Sequence, residues 1–241
     1  VDSEHFSIWS LLNNVKNKNV DKIFITASGG PFRKYPLNKF KNIKLEQALR
    51  HPNWSMGKKI SIDSATMMNK VFEIIEAKKI FNINYNQLEI IIHPHSYLHA
   101  IIKFNNGLTK LLIHDTNMTI PIFNSIYSLH EKKIQSNKLD FKILNNLNLD
   151  HVDKKRFPAV NILNQLKNRD SLFETVIVSA NDCLVKLFME KKIRFVDISL
   201  MLLKILSLKE FTKLKSITPK NINEITKLSN YVSLKINSMC V

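Results

Sequence analysis

Two acidic residues near the start of the sequence are spaced so that they could bind a metal ion together. Asp2 and Glu4 lie two residues apart, and in an extended segment both carboxylates would point to one side, with Ser3 on the other. Two convergent carboxylates repel each other unless a cation neutralises them, and hard divalent ions prefer such oxygen ligands. A D-x-E pair is also common on solvated strands, so the pair alone leaves both interpretations open.

A second group of polar residues lies on a helix predicted over residues 64–79. Asn69, Lys70 and Glu73 follow helical spacing and share one face. Ser64 is predicted to cap the N-terminus, where backbone N–H groups and the helix dipole favour an anion. The face would then combine a phosphate site with a carboxylate. On spacing alone, an ordinary amphipathic helix with a solvated polar face is the favoured alternative.

The elements expected to hold these residues form an α/β domain followed by an all-α domain. The first, over residues 1–130, is predicted to be an α+β mixed sheet with flanking helices, and the second, over 156–241, a helical bundle. The Lys- and Asn-rich stretch 131–155 is predicted to be a linker. The predicted strands are residues 22–26, 88–93, 97–104 and 109–114. The predicted helices are residues 44–50, 64–79, 118–130, 157–168, 171–191, 195–210 and 219–238.

The composition bounds the function classes. The formal net charge is +16, but only five of the 36 basic residues are Arg, and the Lys residues are spread along the chain. Nucleic-acid recognition favours the planar fork of Arg, so we expect a biased composition that attracts phosphorylated substrates rather than a nucleic-acid site. No apolar run reaches the length of a membrane helix, and no secretory signal begins the sequence. We therefore expect a soluble protein.

Cysteine and histidine usage adds little. Cys183 and Cys240 fit neither a metal spacing nor a disulfide framework, which is typical of a reducing compartment. His93, His95 and His99 form an H-x-H pair with a third histidine, a pattern seen in zinc sites. Ordinary edge and core histidines are the more frequent outcome of such a pattern.

Four longer strings carry a family resemblance. They are V-D-S-E-H (1–5), S-G-G-P-F-R (28–33), H-P-N-W-S-M-G (51–57) and D-S-A-T-M-M-N-K (63–70). In order and spacing they resemble the signature segments of the 1-deoxy-D-xylulose 5-phosphate reductoisomerase family. The likeness is clear over residues 1–99 and returns weakly at 179–182 and 194–198.

The resemblance implies a role for each matching residue. Asp2, Glu4 and Glu73 would hold a divalent metal, Mg or Mn. The residues implied to bind substrate are Ser3, Ser28, His51, Trp54, Ser64, Asn69, Lys70 and His99, with the phosphate on Ser28, Ser64, Asn69 and Lys70. The catalytic residues would be Glu4, Glu73, Lys70 and His51. Residues His51, Trp54 and Met56 would belong to a mobile loop, and Met56 and Met118 would lie near the nicotinamide of NADPH.

The activity implied is that of an NADP-dependent reductoisomerase. It would convert 1-deoxy-D-xylulose 5-phosphate to 2-C-methyl-D-erythritol 4-phosphate by retro-aldol and aldol steps followed by reduction, in non-mevalonate isoprenoid synthesis. The sequence has no G-x-G-x-x-G turn, and the resemblance begins where the NADPH domain of the family ends. We therefore expect the chain to need that domain. The resemblance also implies a homodimer in the bacterial cytoplasm or a plastid-like organelle, with no nucleic-acid or membrane partner.

Three departures from the family pattern leave other functions open. Val71 stands where the family usually has Gly, Asn117 where it has Asp, and Asp182 where it has Glu. The metal and phosphate groups are intact, which favours a working site. The alternatives are a catalytically inactive dimerisation module and a basic nucleic-acid-binding protein. Substrate binding that needs a divalent cation would favour the enzyme, and strongly salt-dependent DNA binding would favour the last alternative.

Overall fold

The chain divides into two compact units, each assembled from separate stretches of sequence. The computed structural model describes residues 1–13, 19–127 and 132–240, and Cys240 without its side chain. The first unit comprises the described residues of Val1–Gly29, Pro52–Trp54 and Glu73–Val152. The second comprises Gly30–His51, Ser55–Phe72 and the chain from Asp153 onward. Within the described residues, no helix has both the length and the apolar character that crossing a membrane requires.

The described elements confirm the predicted order of a mixed sheet followed by helices. The strands are β1 (Val20–Ala27), β2 (Leu88–Ile92), β3 (Leu98–Phe104), β4 (Thr109–Ile113) and β5 (Asp150–His151). The α-helices are α1 (Ser3–Leu12), α2 (Leu45–Ala48), α3 (Lys58–Thr66), α4 (Met68–Phe81), α5 (Thr119–Tyr127), α6 (Phe141–Leu144), α7 (Leu172–Met189), α8 (Phe195–Leu206), α9 (Lys209–Thr212) and α10 (Ile222–Cys240). Short 3-10 helices cover Leu37–Asn42, Tyr85–Gln87, Pro158–Gln165 and Lys213–Ser216.

A five-stranded sheet forms the core of the first unit. Its order is β4-β3-β1-β2-β5, with β1 and β2 parallel and the other pairs antiparallel. The central strands are apolar runs, and Ile23, Ile25, Leu98 and Ile102 are fully buried on one face of the sheet, because alternate strand residues point to the same side. Helix α1 packs on β3 and buries Ile8 completely. Because β1 and β2 are parallel, their carboxyl ends lie at the same end of the sheet.

The second unit is helical. Helix α7 packs against α8 and α10, and Phe173 and Phe211 are almost completely buried in this bundle. The N-terminus of α7 is stabilised by a capping interaction in which Ser171 donates its backbone N–H to the Glu174 carboxylate, 2.9 Å away. Pro158 lies in the first turn of its 3-10 helix, where a missing N–H is not needed.

The described residues of the segment 131–155, predicted to be a linker, include α6 and the edge strand β5, in which His151 pairs with Ile91. Some predicted helix boundaries were wrong in detail. The helix predicted over 195–210 is broken into α8 and α9, and the segment 157–168 forms a 3-10 helix. These breaks occur at polar or capping positions that apolar periodicity does not register. Residues 128–130 of the helix predicted over 118–130 lie outside the described residues.

The two compact units group some segments that are distant in the sequence. The change of unit at residue 152 falls within the segment 131–155. Residues 30–51 and 55–72, however, group with the later helices although they precede the sheet strands β2–β4 in sequence. Long-range packing assembles these stretches, and no local signal in composition marks them. The division into domains at 130 and 156 stays a prediction.

Candidate active site

Three carboxylates come together in the first unit. Asp2, Glu4 and Glu73 each offer an oxygen, and these three atoms lie within 4.8 Å of one another. Glu73 is buried at 7% exposure, and the other two are partly exposed. Asp2 and Glu4 come from the start of α1, whereas Glu73 comes from α4. The structure thus brings together the three residues that the sequence singled out as metal ligands.

The start of α1 orients the first two carboxylates. Asp2 is the N-cap residue, and its Oδ1 accepts the backbone N–H groups of Glu4 and His5, each at 2.9 Å. Ser3 Oγ donates to Glu4 Oε2 at 2.5 Å. The prediction of an extended segment was therefore wrong, because a side-chain cap on the first helical N–H groups competes successfully with strand alternation. The two carboxylates converge through helical rather than strand geometry.

His5 is a site residue that the sequence reasoning missed. Its Nε2 hydrogen-bonds the backbone carbonyl oxygen of Glu73 at 3.0 Å, which joins the first turn of α1 to α4. Its Nδ1 lies 3.5 Å from Asp2 Oδ1 and 3.7 Å from Glu76 Oε2. His5 is buried and so acts as a fixed spacer between Asp2 and Glu73. The signal was available, since His5 ends the string V-D-S-E-H.

The donor set of this cluster suits a hard divalent cation. All three groups are carboxylates, which match Mg or Mn and match zinc less well. Within residues 1–13, 19–127 and 132–240, no other group of three or more His, Cys, Asp or Glu side chains converges. The zinc alternative therefore gains no support in that part of the chain. His93 Nδ1 instead hydrogen-bonds the Leu147 carbonyl oxygen.

A pair of stacked histidines borders the carboxylates. The rings of His99 and His114 are 3.6 Å apart between centroids and inclined by 12°, and both side chains are buried. Burial lowers the pKa of His114, although Asp115 and the charge of Glu4 act in the opposite direction. The neutral form of His114, which burial favours, can stack on His99 without bringing a positive charge into this buried pair. His99 is the second residue of β3, which runs antiparallel to β1, and so lies at the same end of the sheet as the carboxyl ends of β1 and β2.

Three of the four predicted phosphate residues, Ser64, Asn69 and Lys70, lie at a break between two helices, whereas Ser28 follows β1. The single helix predicted over 64–79 was wrong: α3 ends at Thr66, Met67 takes a left-handed conformation at φ 65°, and α4 begins at Met68. Ser64 therefore lies in the last turn of α3 and not at the start of a helix, and its backbone oxygen accepts the Met67 N–H at 3.1 Å. Asn69 and Lys70 lie in the first turn of α4, where helical N–H groups point outward and favour an anion. Lys70 is buried at 5% exposure.

A glycine turn packs closely against this break. β1 leads into Ser28, Gly29 and Gly30, and both glycines have positive φ, +82° and +61°. A Cβ added to Gly30 would lie 2.9 Å from the backbone oxygen of Ser64, closer than packing allows. Only glycine fits there, both for its left-handed conformation and for this approach. The signature glycine turn and the segment containing Ser64 are thus matched in shape.

The loop between α2 and α3 contains the residues expected to cover a substrate. Burial, reinforced by the positive charge of Lys70, lowers the pKa of His51 to about 4, so its imidazole is neutral at ordinary pH. Asn53, which the sequence reasoning did not single out, donates its side-chain amide to the Pro94 carbonyl oxygen and to Ser96 Oγ, each at 2.8 Å. Trp54 and Met56 are partly exposed. Asn53 thus fixes the middle of the loop to the turn after β2.

The residues expected near a nicotinamide occupy two different elements. Met56 lies in the loop before α3, and Met118 immediately precedes α5 and is partly exposed. The sequence contains four glycines in all and none in a G-x-G-x-x-G arrangement.

Family profiles match most of the chain. The profile described as the 1-deoxy-D-xylulose 5-phosphate reductoisomerase C-terminal domain matches residues 1–81. A second profile, described as the DXP reductoisomerase C-terminal domain, matches residues 114–233. The first match contains the carboxylate cluster, the glycine turn and the helix break.

Individual relatives and solved structures agree with these profiles. The chain is 70% identical over 241 residues to the 1-deoxy-D-xylulose 5-phosphate reductoisomerase of Pelagibacter ubique, covering all of this chain and 62% of that protein. It is 37% identical to the Sulfurihydrogenibium enzyme of the same name, covering 95% of this chain and 63% of that one. This chain therefore spans less than two thirds of the length of these relatives.

Solved structures with the same fold contain ligands. The reductoisomerase of Zymomonas mobilis in complex with NADPH matches with a TM-score of 0.84 at 31% identity, covering 99% of this chain and 60% of that one. A second reductoisomerase structure, in complex with NADPH, fosmidomycin and magnesium, matches with a TM-score of 0.88 at 28% identity, covering 99% and 62%.

Proposed function

Since this chain belongs to the 1-deoxy-D-xylulose 5-phosphate reductoisomerase family, we propose that it carries the metal and substrate groups of that enzyme. The reaction would convert 1-deoxy-D-xylulose 5-phosphate to 2-C-methyl-D-erythritol 4-phosphate by an isomerisation followed by NADPH-dependent reduction. The observation that carries the proposal is the convergence of the Asp2, Glu4 and Glu73 oxygens within 4.8 Å. We expect a location in the bacterial cytoplasm, as for a bacterial metabolic enzyme.

The carboxylate cluster would hold a Mg or Mn ion. When bound, such an ion supplies a Lewis acid that polarises a carbonyl and stabilises negative charge on an enolate oxygen. The ion would also remove the mutual repulsion of Asp2, Glu4 and Glu73, so metal and site stabilise each other. Ser3, whose hydroxyl already donates to Glu4, is close enough in sequence and structure to contact substrate oxygens.

The phosphate of the substrate would be bound by Ser28, Ser64, Asn69 and Lys70. The buried Lys70 supplies the positive charge, and the first turn of α4 supplies N–H groups aimed at an anion. The neutral His51 keeps one ring N–H to donate. Binding of this remote group would provide energy that orients the reacting carbons.

The loop over residues 50–57 would cover the substrate. His51, Trp54 and Met56 lie on it, and closure would exclude water while the carbon skeleton is in two fragments. His99, held beneath its stacking partner His114, would contact the substrate from the sheet edge. Met56 and Met118 would line the nicotinamide. NADPH supplies the hydride, and by itself the 241-residue chain should not oxidise NADPH because it has no pyrophosphate-binding turn.

We also propose a homodimer formed through the sheet. β4 is an edge strand. Leu111 on this strand is 43% exposed, and Leu108, which precedes it, is 59% exposed. An exposed edge with apolar side chains is a ready surface for pairing with a second copy. Sedimentation velocity at high protein concentration tests for this dimer.

The metal site can be tested on the chain directly. Titration of Mn²⁺, followed by the electron paramagnetic resonance of the free ion, should give one site per chain. Glu73→Gln should weaken binding at least about tenfold, because it removes one of three charged ligands. Glu89→Gln, which removes a carboxylate of β2 in the same unit, should leave the affinity unchanged. Equal affinities for wild type and Glu73→Gln would contradict the proposed site.

A further inference from the structure

A buried polar cluster in the second unit lies next to the proposed phosphate residues. Asp63 in α3 and Asn181 in α7 are 3% and 0% exposed. Asn181 donates its side-chain amide to Asp63 Oδ1 at 2.7 Å, and Lys59 donates to Asp63 Oδ2 at 2.8 Å. Lys59 also pairs with Asp182 at 2.9 Å. Both carboxylate oxygens of Asp63 therefore accept a hydrogen bond, one from α7 and the other from the first turn of α3.

Asp63 is attached directly to the segment that carries the phosphate groups. It precedes Ser64, and the Thr66 hydroxyl donates to the backbone oxygen of Asp63 at 3.1 Å. The left-handed turn at Met67 follows at once and sets where α4 begins. On its other side the segment meets Gly30, at whose position a Cβ would touch the Ser64 oxygen. A rotation of the last turn of α3 would therefore move Ser64 and the start of α4 together.

Packing alone does not account for this cluster. Asn181 is completely buried, and its Oδ1 has no hydrogen-bond partner among the described residues. A buried acceptor without a partner is unfavourable, and an apolar side chain of similar size would avoid that loss. Burial raises the pKa of Asp63, against the opposing effect of Lys59 and Asn181. What the polar pair provides, and an apolar pair would not, is a fixed direction for both carboxylate oxygens.

We propose that Asp63 is a positioning residue, which Asn181 holds in place so that Ser64, Asn69 and Lys70 keep the geometry that binds phosphate. This inference rests on the proposed function, because it assigns a task to Asp63 only if those residues bind a phosphate. Asp63 itself is buried and does not touch the ligand. It acts through the last turn of α3.

The cluster has two arms, the Asn181–Asp63 hydrogen bond and the Lys59–Asp182 ion pair, and the first should contribute more to holding Asp63 in place. The Asn181 arm is fully buried, so water cannot replace its hydrogen bond. The Lys59–Asp182 arm is about half exposed at both side chains, and exposed ion pairs contribute little because solvent screens them. Asp182→Asn is therefore a matched control, since it removes a carboxylate from the same cluster at its exposed end.

The test uses three variants and two measurements on the 241-residue chain. Asp63→Asn leaves one oxygen to serve two donors, so an N–H group must face either Lys59 or Asn181. Asn181→Ala removes the donor and keeps the Asp63 carboxylate. The double variant Asp63→Asn, Asn181→Asp exchanges the two groups and restores a donor–acceptor pair. Affinity for inorganic phosphate is measured by calorimetry well below the melting temperature, and amide hydrogen exchange is followed over residues 64–70.

The expected result is a loss of phosphate affinity of about tenfold in Asp63→Asn and Asn181→Ala, the size of one buried hydrogen bond. Hydrogen exchange should speed up over 64–70 and not in α8, and the double variant should recover part of both. Asp182→Asn should bind as the wild type does. If Asp63→Asn does not fold, Asn181→Ala and the double variant still decide the question.

Three outcomes distinguish a positioning role of Asp63 from general stability and from an error in the proposed phosphate site. Unchanged phosphate affinity in Asp63→Asn or Asn181→Ala, with a wild type that binds, overturns the positioning role and leaves the proposed function standing. A loss of affinity that accompanies faster exchange throughout the second unit also overturns it, because the role would then be general stability. A wild-type chain that binds no phosphate overturns the phosphate site of the proposed function, and the positioning role with it.

Discussion

At the scale of single residues, the site depends on titratable side chains that lie in the interior of the fold. Lys70 and Glu73 are both buried and lie three residues apart on α4, an arrangement in which neighbouring charges face each other along a helix. Burial is the main cause of the lowered pKa of His51, and the positive charge of Lys70 lowers it further, so the imidazole is neutral at ordinary pH.

His51 should titrate at about pH 4 in a nuclear magnetic resonance experiment. The unfolded chain has the ordinary value of 6.5 and so takes up a proton first as the pH falls. Because the folded pKa is depressed, His51 lowers the stability of the fold progressively from pH 6.5 down to about 4, and not above that range. Between pH 6.5 and about 4, the melting temperature should fall less with decreasing pH for His51→Gln than for the wild type.

Lys70→Met provides the control for this assignment. It should raise the pKa of His51 only in part, because burial is the larger cause and the charge of Lys70 the smaller. A pKa that returned fully to 6.5 in Lys70→Met would mean that charge, and not burial, dominates.

At the scale of elements, the break between α3 and α4 shapes the proposed phosphate site. The buried face continues across it, with Ala65 before the break and Met68 after it both buried, so a single helix was the natural prediction. Met67 interrupts the helix with φ 65° although it is neither Gly nor Asn. The interruption places Ser64 at the end of one helix and Asn69 at the start of the next.

Met67→Gly should destabilise the protein even though it removes backbone strain. Relief of the left-handed conformation contributes about 1 kcal/mol. Loss of the side chain, which is 1% exposed, costs about 2–5 kcal/mol, so burial wins and the net loss is roughly 1–4 kcal/mol. Urea unfolding of the variant and the wild type measures it.

Asn82→Gly is the matched comparison, since Asn82 follows α4 at φ 50° and is exposed. Without a buried side chain to lose, it should change stability by less than about 0.5 kcal/mol. A stabilised Met67→Gly would show that strain outweighs packing at the helix break.

At the scale of the whole molecule, one edge strand of the sheet is exposed and could pair with a second copy of the chain. β4 ends the order β4-β3-β1-β2-β5 and carries exposed residues along its length. The opposite edge is covered by the two-residue strand β5, a short edge of the kind that discourages pairing. We therefore expect a second copy at β4.

Leu111→Lys should shift the protein towards monomer in sedimentation velocity at matched concentration. A Lys on the pairing edge places like charges opposite each other across a twofold interface and removes apolar area. Leu200→Lys, on the exposed side of α8, is the control and should sediment as the wild type does. A wild type that remains monomeric at high concentration would contradict the dimer.

The sequence by itself determined the chemical types in the site and the local elements that carry them. Carboxylates spaced as D-x-E, a lysine beside a carboxylate on one helix, and a glycine pair after an apolar strand are legible because side-chain type and short periodicities are local properties. The strands β2, β3 and β4 and the helices α7 and α10 were predicted for the same reason, and only their ends were displaced.

The tertiary structure alone decided how these pieces meet. His5 contacts the carbonyl oxygen of Glu73, and Asn181 holds Asp63. These two contacts join residues that lie 68 and 118 positions apart in the sequence. Several weak local preferences compete at each of these positions, and the choice among them is made by packing and hydrogen bonding to distant residues. Such free energies are not present in any local window of the sequence.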